Sequence, residues 1–131
     1  MTNAPPAVDP VVAEQIGARL FAAIEAGDVD TVRELYAPDA VVWHNHDRVE
    51  QPAPDNLRVL RWVHRHISGL RYEQVRRQAT PNGFVQQHIL RGDGPGGPID
   101  VPACLVVSIA DARITRIDEY LDPAAVTSLA R

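Results

Sequence analysis

The densest group of chemically capable side chains is the run Trp43-His44-Asn45-His46-Asp47. Imidazole changes charge near neutral pH, so a sheltered histidine can take up or release a proton during a reaction. If the run is a strand, His44 and His46 share a face, because side chains two apart point the same way. The same residues permit a metal reading. His44-x-His46 followed by Glu50 offers two neutral imidazoles and a carboxylate at a spacing that can hold a divalent ion. Later in the chain, Gln86, His88 and Asp100 are further polar candidates for a binding pocket. Asp100 reads more readily as a solvated strand end after a Gly/Pro loop.

Other signals carry no chemistry. Arg91-Gly92-Asp93 spells an adhesion tripeptide but falls at a hairpin end. The glycines of 92–98 link strands and lack the helix start that cradles phosphate. Arg58, Arg61 and Arg65 recur on one helical face and read as a solvated surface. His64 falls on an apolar stripe and reads as a core residue. Ser68, Ser108 and Ser128 lack the strand-to-helix elbow of a nucleophile.

The elements that position these residues follow from periodicity. Residues 1–8 form a loose tail, and 9–131 read as one domain. Asp9-Pro10 supplies a cap and an initiating proline. Val12, Ile16, Leu20 and Ile24 then trace one stripe of a helix that stops at Gly27. Asp28 caps a second helix with Val32, Leu35 and Tyr36, and Pro38 ends it. Residues 40–44 are strand-like. A third helix carries Leu57, Leu60, Val63 and Ile67, closed by Gly69. Segments 70–79, 83–91, 99–109 and 113–121 are strands of a meander, with turns at 80–83 and 111–112 and a flexible loop over 92–98. Asp122-Pro123 starts a short terminal helix. Helices placed ahead of a meander predict an α+β domain. The segment Ala103-Cys104-Leu105-Val106-Val107 is apolar on both faces. A second subunit is the natural cover for its outer face, so a homodimer is expected.

The helix–Gly27-Asp28–helix–Tyr36-Ala37-Pro38-Asp39-Ala40 opening, the meander, and the closing Arg113-Ile114 with Glu119-Tyr120 resemble the nuclear-transport-factor-2-like superfamily over about residues 9–123. Ketosteroid isomerases, limonene-epoxide hydrolases and SnoaL-type polyketide cyclases are members. The resemblance implies a cone-shaped curved antiparallel sheet with three N-terminal helices around an apolar pocket. It places His44 where the isomerases carry their general-base Asp and the epoxide hydrolases a water-holding Asn. Glu119 matches the carboxylate that deprotonates water in the epoxide hydrolases. A carboxylate in an apolar cavity is costly unless paired or protonated, which makes His44 its natural partner. A one-residue slip would instead turn Asp118 or Tyr120 inward. The positions of the isomerase oxyanion donors hold Leu20 and Cys104. The second water-holding residue of the hydrolases, a Tyr, is replaced by Val42, and residues 84–91 contain His88 and Arg91 but no Asp. Neither activity is implied intact.

The expected function is a cofactor-free cyclase, isomerase or hydrolase acting on a small hydrophobic carbonyl or epoxide compound. His44 and Glu119 would carry the proton or activate water. The pocket would be lined by Leu20, Val42, His46 and His88, with Asp100, Cys104 and Ile117. The alternative is a binding protein that keeps the pocket without the chemistry. The metal reading at His44, His46 and Glu50 would make the chain cupin-like, which leading helices contradict. A net charge of −4, with every basic residue an Arg, disfavours nucleic acid. No apolar run approaches a membrane span. The lone Cys104 and the absence of a signal peptide at residues 1–10 point to the cytoplasm, with no metal or cofactor expected.

Overall fold

The computed structural model describes residues 6–125. Helix α1 spans Pro10–Ala26. The Asp9 carboxylate accepts from the Val11 N–H at 2.8 Å, and Pro10 opens the first turn. At the other end Gly27 sits at φ 71°, where its N–H can reach the carbonyls of Ala23 and Ile24. A side chain there would also collide with the His64 ring, so glycine is required twice over. Helix α2, Val29–Leu35, is capped by Asp28, which accepts from both the N–H and the hydroxyl of Thr31. Helix α3 spans Ala53–His66. No helix is long and apolar enough to cross a membrane.

Six strands follow in one sheet: β1 Tyr36–His44, β2 Glu50–Pro52, β3 Ser68–Thr80, β4 Gly83–Gly94, β5 Gly97–Ala110 and β6 Arg113–Leu121. Their order is β2-β1-β6-β5-β4-β3. The expected α+β architecture with its curved meander is present, with four corrections. The sheet is mixed, because β1 lies parallel to β6. Periodicity identifies strands but not the long-range return that makes β6 the neighbour of β1. Tyr36 opens β1 instead of closing α2, and Glu50–Pro52, between the first strand and α3, add the short strand β2. The flexible loop 92–98 shrinks to Pro95-Gly96, since Gly94 and Gly97 already pair. A helical turn at 123–125 follows β6, with the Ala124 N–H on Asp122 Oδ1 at 3.0 Å. Its continuation, like residues 1–5 of the tail, lies outside the described residues. Val8 donates to the Pro81 carbonyl at 2.9 Å and packs on the core.

The helices cover one face of the sheet. Leu20 and Phe21 of α1, Val32 and Leu35 of α2 and Leu57 of α3 meet Val42, Phe84, Leu105, Val107, Ile114 and Ile117 in one apolar cluster. Strand β5 alternates strictly, with Ile99, Val101, Ala103, Leu105, Val107 and Ile109 turned inward. Strand β3 does not. Between Glu73 and Arg76 it carries one residue more than β4, with Gln74 at φ 53°. This β-bulge brings Tyr72 and Arg77, five residues apart, onto the same inner face.

Candidate functional site

His44 and Glu119 are register partners on the parallel strands β1 and β6. Val42 and Ile117, two residues before each, are buried, which sets both side chains on the inner face. His44 Nε2 lies 2.8 Å from Glu119 Oε1. An ionised carboxylate only accepts, so Nε2 carries the proton and the lone pair of a neutral His44 is left on Nδ1. The side chains are 21% and 20% exposed, sheltered yet within reach of a solute. Burial is the largest single influence on His44 and lowers its pKa. The hydrogen bond to Glu119, its charge and that of Asp47 together outweigh it, so the net shift is upward.

Asn45 clips the strand ends together. Its N–H donates to the Glu119 carbonyl at 3.1 Å, and its Oδ1 accepts from the Leu121 N–H at 3.0 Å. Beyond the pair, the inner face carries a buried polar set. The Tyr36 hydroxyl donates to Asn56 Oδ1 at 2.8 Å, and Asn56 in turn donates to Gln51 Oε1 at 3.1 Å. Burial first, and the Glu119 charge second, raise the pKa of both Tyr36 and Tyr72, so both phenols stay protonated. His88 is buried, packed edge-on against Phe21 and Tyr72, with Gln86 Nε2 2.8 Å from its Nδ1. Its pKa is lowered by burial and by the Arg77 charge, against an opposing pull from Glu119.

The structure therefore brings together His44, Glu119, Val42, Ile117, Leu20 and His88 on the helix-covered side. Two expected pocket residues are elsewhere. Asp100 and Cys104 do share a face, but it is the outer one. Asp100 pairs with Arg91 at 3.1 Å, and Cys104 stands between Gln87 and Tyr120. Alternation fixes which residues share a face without saying which face is inside, and Ala103 and Leu105 take the inward places. His46 departs differently. The strand stops at His44, so His46 sits in an exposed turn, its Nε2 3.5 Å from Asp47 Oδ2, although its ring comes within 5.4 Å of the His44 ring. Glu50, the third residue of the metal reading, instead receives two hydrogen bonds from Arg116 at 2.7 and 3.0 Å. Among the described residues, no group of three His, Cys, Asp or Glu is disposed to hold a metal. His64 is exposed and lines a concavity of about 220 Å³ with Ile24, Ile67 and Leu70.

Tyr36, Tyr72, Arg77 and Asn45 were not foreseen. Tyr36 looked like the end of a helical stripe. Tyr72 and Arg77 differ in parity, and only the bulge reconciles them. Asn45 falls inside the histidine run, and the preference of Asn for turns is the signal that marks it.

A family profile for the SnoaL-like domain matches residues 18–117. No curated protein matches the chain in sequence. Among solved structures, an epoxide hydrolase of the limonene-epoxide hydrolase type from M. tuberculosis superposes with a TM-score of 0.77 at 18% identity, covering 92% of this chain and 90% of that one. A protein from Shewanella putrefaciens, named after the SnoaL-like polyketide cyclases, gives 0.77 at 13% identity over 89% and 94%. An NTF2-like protein from Burkholderia xenovorans gives 0.77 at 15% over 94% and 98%. At these identities the likeness is one of fold. The profile covers most of the chain, and with the superposed folds it shows that this protein belongs to the SnoaL-like domain family.

Proposed function

We propose that this protein is a cofactor-free enzyme that moves a proton on, or activates water against, a small hydrophobic carbonyl or epoxide compound. The observation that carries the reading is the 2.8 Å contact between His44 and Glu119, partly open to solvent at the edge of an apolar interior. In this arrangement Glu119 fixes the imidazole by its Nε2–H, and Nδ1 is the atom that takes up the proton. The carboxylate stabilises the imidazolium that forms, which is the usual advantage of a paired histidine base. Two solved relatives of the fold are named as an epoxide hydrolase and after the polyketide cyclases, chemistries that fit this class.

The test is a pair of NMR titrations of His44, in the wild type and in Glu119→Gln. Removing the charge while keeping the shape moves the His44 midpoint downward. Superimposable curves would show that the side chains do not interact and would end the mechanism. Native mass spectrometry of the purified protein, read for a co-purified neutral compound, identifies candidate substrates. Turnover of a substrate so found falls about 10²-fold or more in Glu119→Gln, the scale of general acid–base catalysis.

A further inference from the structure

Among the described residues, His88 Nε2 is a buried ring nitrogen without a hydrogen-bond partner, on a residue only 4% exposed. Its other nitrogen is the end of a relay that crosses the molecule. Glu14 on α1 holds Arg77 Nη1 at 2.6 Å. Arg77 Nε donates to Gln86 Oε1 at 2.8 Å, and Gln86 Nε2 lies 2.8 Å from His88 Nδ1. Each link has one allowed polarity. A guanidinium has donors only, so the amide atom it meets must be the oxygen. The amide nitrogen then faces His88, and it too can only donate. Nδ1 must therefore accept, which leaves it without a hydrogen. The neutral ring carries its proton on Nε2. Protonating the ring as well would set an Nδ1–H against the amide N–H, donor against donor.

The place of the His88 side chain is set by strand register. Across the inner face one row runs His44, Glu119, Leu105, Gln86 and Arg77, each the partner of the next. Beside it stand Ala103 and His88, also partners. Adjacent strands are about 4.8 Å apart, so Glu119 and the Gln86–His88 end lie roughly 10 Å from each other. Leu105 and the small Ala103 lie between them on the inner face.

We propose that the Glu14–Arg77–Gln86 relay locks His88 as a neutral Nε2–H donor for the oxygen of an uncharged carbonyl or ether compound lying over Ala103 and Leu105. The ligand assignment rests on the function proposed above; the locked tautomer does not. The relay makes the site selective, because a ring nitrogen that can only donate rejects ammonium groups and accepts an oxygen lone pair. His88 would touch the ligand directly, while Gln86 and Arg77 are positioning residues.

Long-range proton–nitrogen NMR on the full-length protein with ¹⁵N-histidine reads the tautomer of each ring, His88 being assigned by its loss in His88→Gln. At neutral pH the wild type shows a protonated Nε2 and a bare Nδ1. Gln86→Glu inverts the last link, since a carboxylate accepts from both neighbours, and Nδ1 becomes protonated. Should that variant not fold, Arg77→Met frees the amide to rotate and gives a mixture of tautomers. A protonated Nδ1 in the wild type, or a tautomer unmoved in the folded variants, overturns the lock. For the ligand half, carbonyl-¹³C acetophenone is titrated to its solubility limit, with benzylammonium as the control. Acetophenone moves the Nε2–H resonance, and its affinity falls about tenfold in Gln86→Glu, the worth of one hydrogen bond. An Nε2–H unmoved by acetophenone, or moved equally by benzylammonium, overturns that half. Because the tautomer is read without turnover, its failure is distinct from failure of the His44–Glu119 pair.

Discussion

Replacing Gly17 by alanine in the middle of α1 would ordinarily stabilise the helix, by about 0.8–1 kcal/mol. Here the sign reverses. A Cβ on Gly17 falls 2.6 Å from Arg77 Nε and 2.7 Å from its Cδ, closer than any real Cβ contact. An arginine on the surface would swing aside at little cost. Arg77 is held by Glu14 at one end and Gln86 in the middle, and its guanidinium carbon sits 5.8 and 5.9 Å from the Phe21 and Phe84 rings. Displacing it weakens a hydrogen bond from a charged donor, about 1.5–3 kcal/mol, and a sheltered cation–π contact, about 0.5–2 kcal/mol. After the gain in helix propensity, Gly17→Ala is destabilising by about 1–4 kcal/mol. Urea unfolding at neutral pH measures it. In an Arg77→Ala background the clashing Cδ and Nε are absent, and the same substitution stabilises by up to about 1 kcal/mol. A wild-type background in which Gly17→Ala is neutral or stabilising refutes the reasoning, as does the same sign in both backgrounds.

Tyr36→Phe strands the Asn56 acceptor in a buried site and costs about 1–3 kcal/mol by urea unfolding; an unchanged midpoint would contradict the hydrogen bond. His44 titrates above, and His88 below, the unperturbed value of about 6.5, and the reverse order by NMR would contradict the site electrostatics. The consequences for stability are opposite in sign. The His44 contribution is fully present below the unfolded value and is lost as pH rises through its folded value; that of His88 is present above the unfolded value and is lost as pH falls through its folded value. The outer sheet face exposes Val106 and Tyr120, the latter packed 5.4 Å from Trp43, and we propose that a second copy covers it. Light scattering then reports about twice 14.4 kDa, falling to the monomer in Val106→Arg; a monomeric wild type at micromolar concentration would contradict the dimer.

Much of this architecture was legible because its local signals agree. Asp9-Pro10, Gly27 and Asp28 punctuate the first two helices, and the meander strands alternate between clear turns. Glu119 could be singled out only through resemblance, and the partner choice followed from the cost of burying its charge. What stayed hidden depended on contacts distant in sequence. The inward side of β5 is decided by the helices packed on it, so Asp100 and Cys104 were assigned to the wrong face. Strand β1 ends at His44 because Asn45 turns to bind β6, which parity within the histidine run cannot reveal. The bulge at Gln74 has no glycine to announce it, so Tyr72 and Arg77 looked like opposite-facing residues.

The parallel pairing of β1 with β6 also dictates when the site can exist. Its two halves are made early and late: His44 leaves the ribosome long before Glu119, and until β6 arrives β1 has only the three residues of β2 beside it. Three successive hairpin connections separate β3 from β6, and the last strand lies between β5 and the first. The strand pairing of highest sequence separation is thus the one that brings His44 to Glu119, and it carries the largest loop-closure entropy. The His44–Glu119 pair is a readout of completed folding. A chain arrested or truncated before β6 would lack Glu119 and leave His44 without its carboxylate partner.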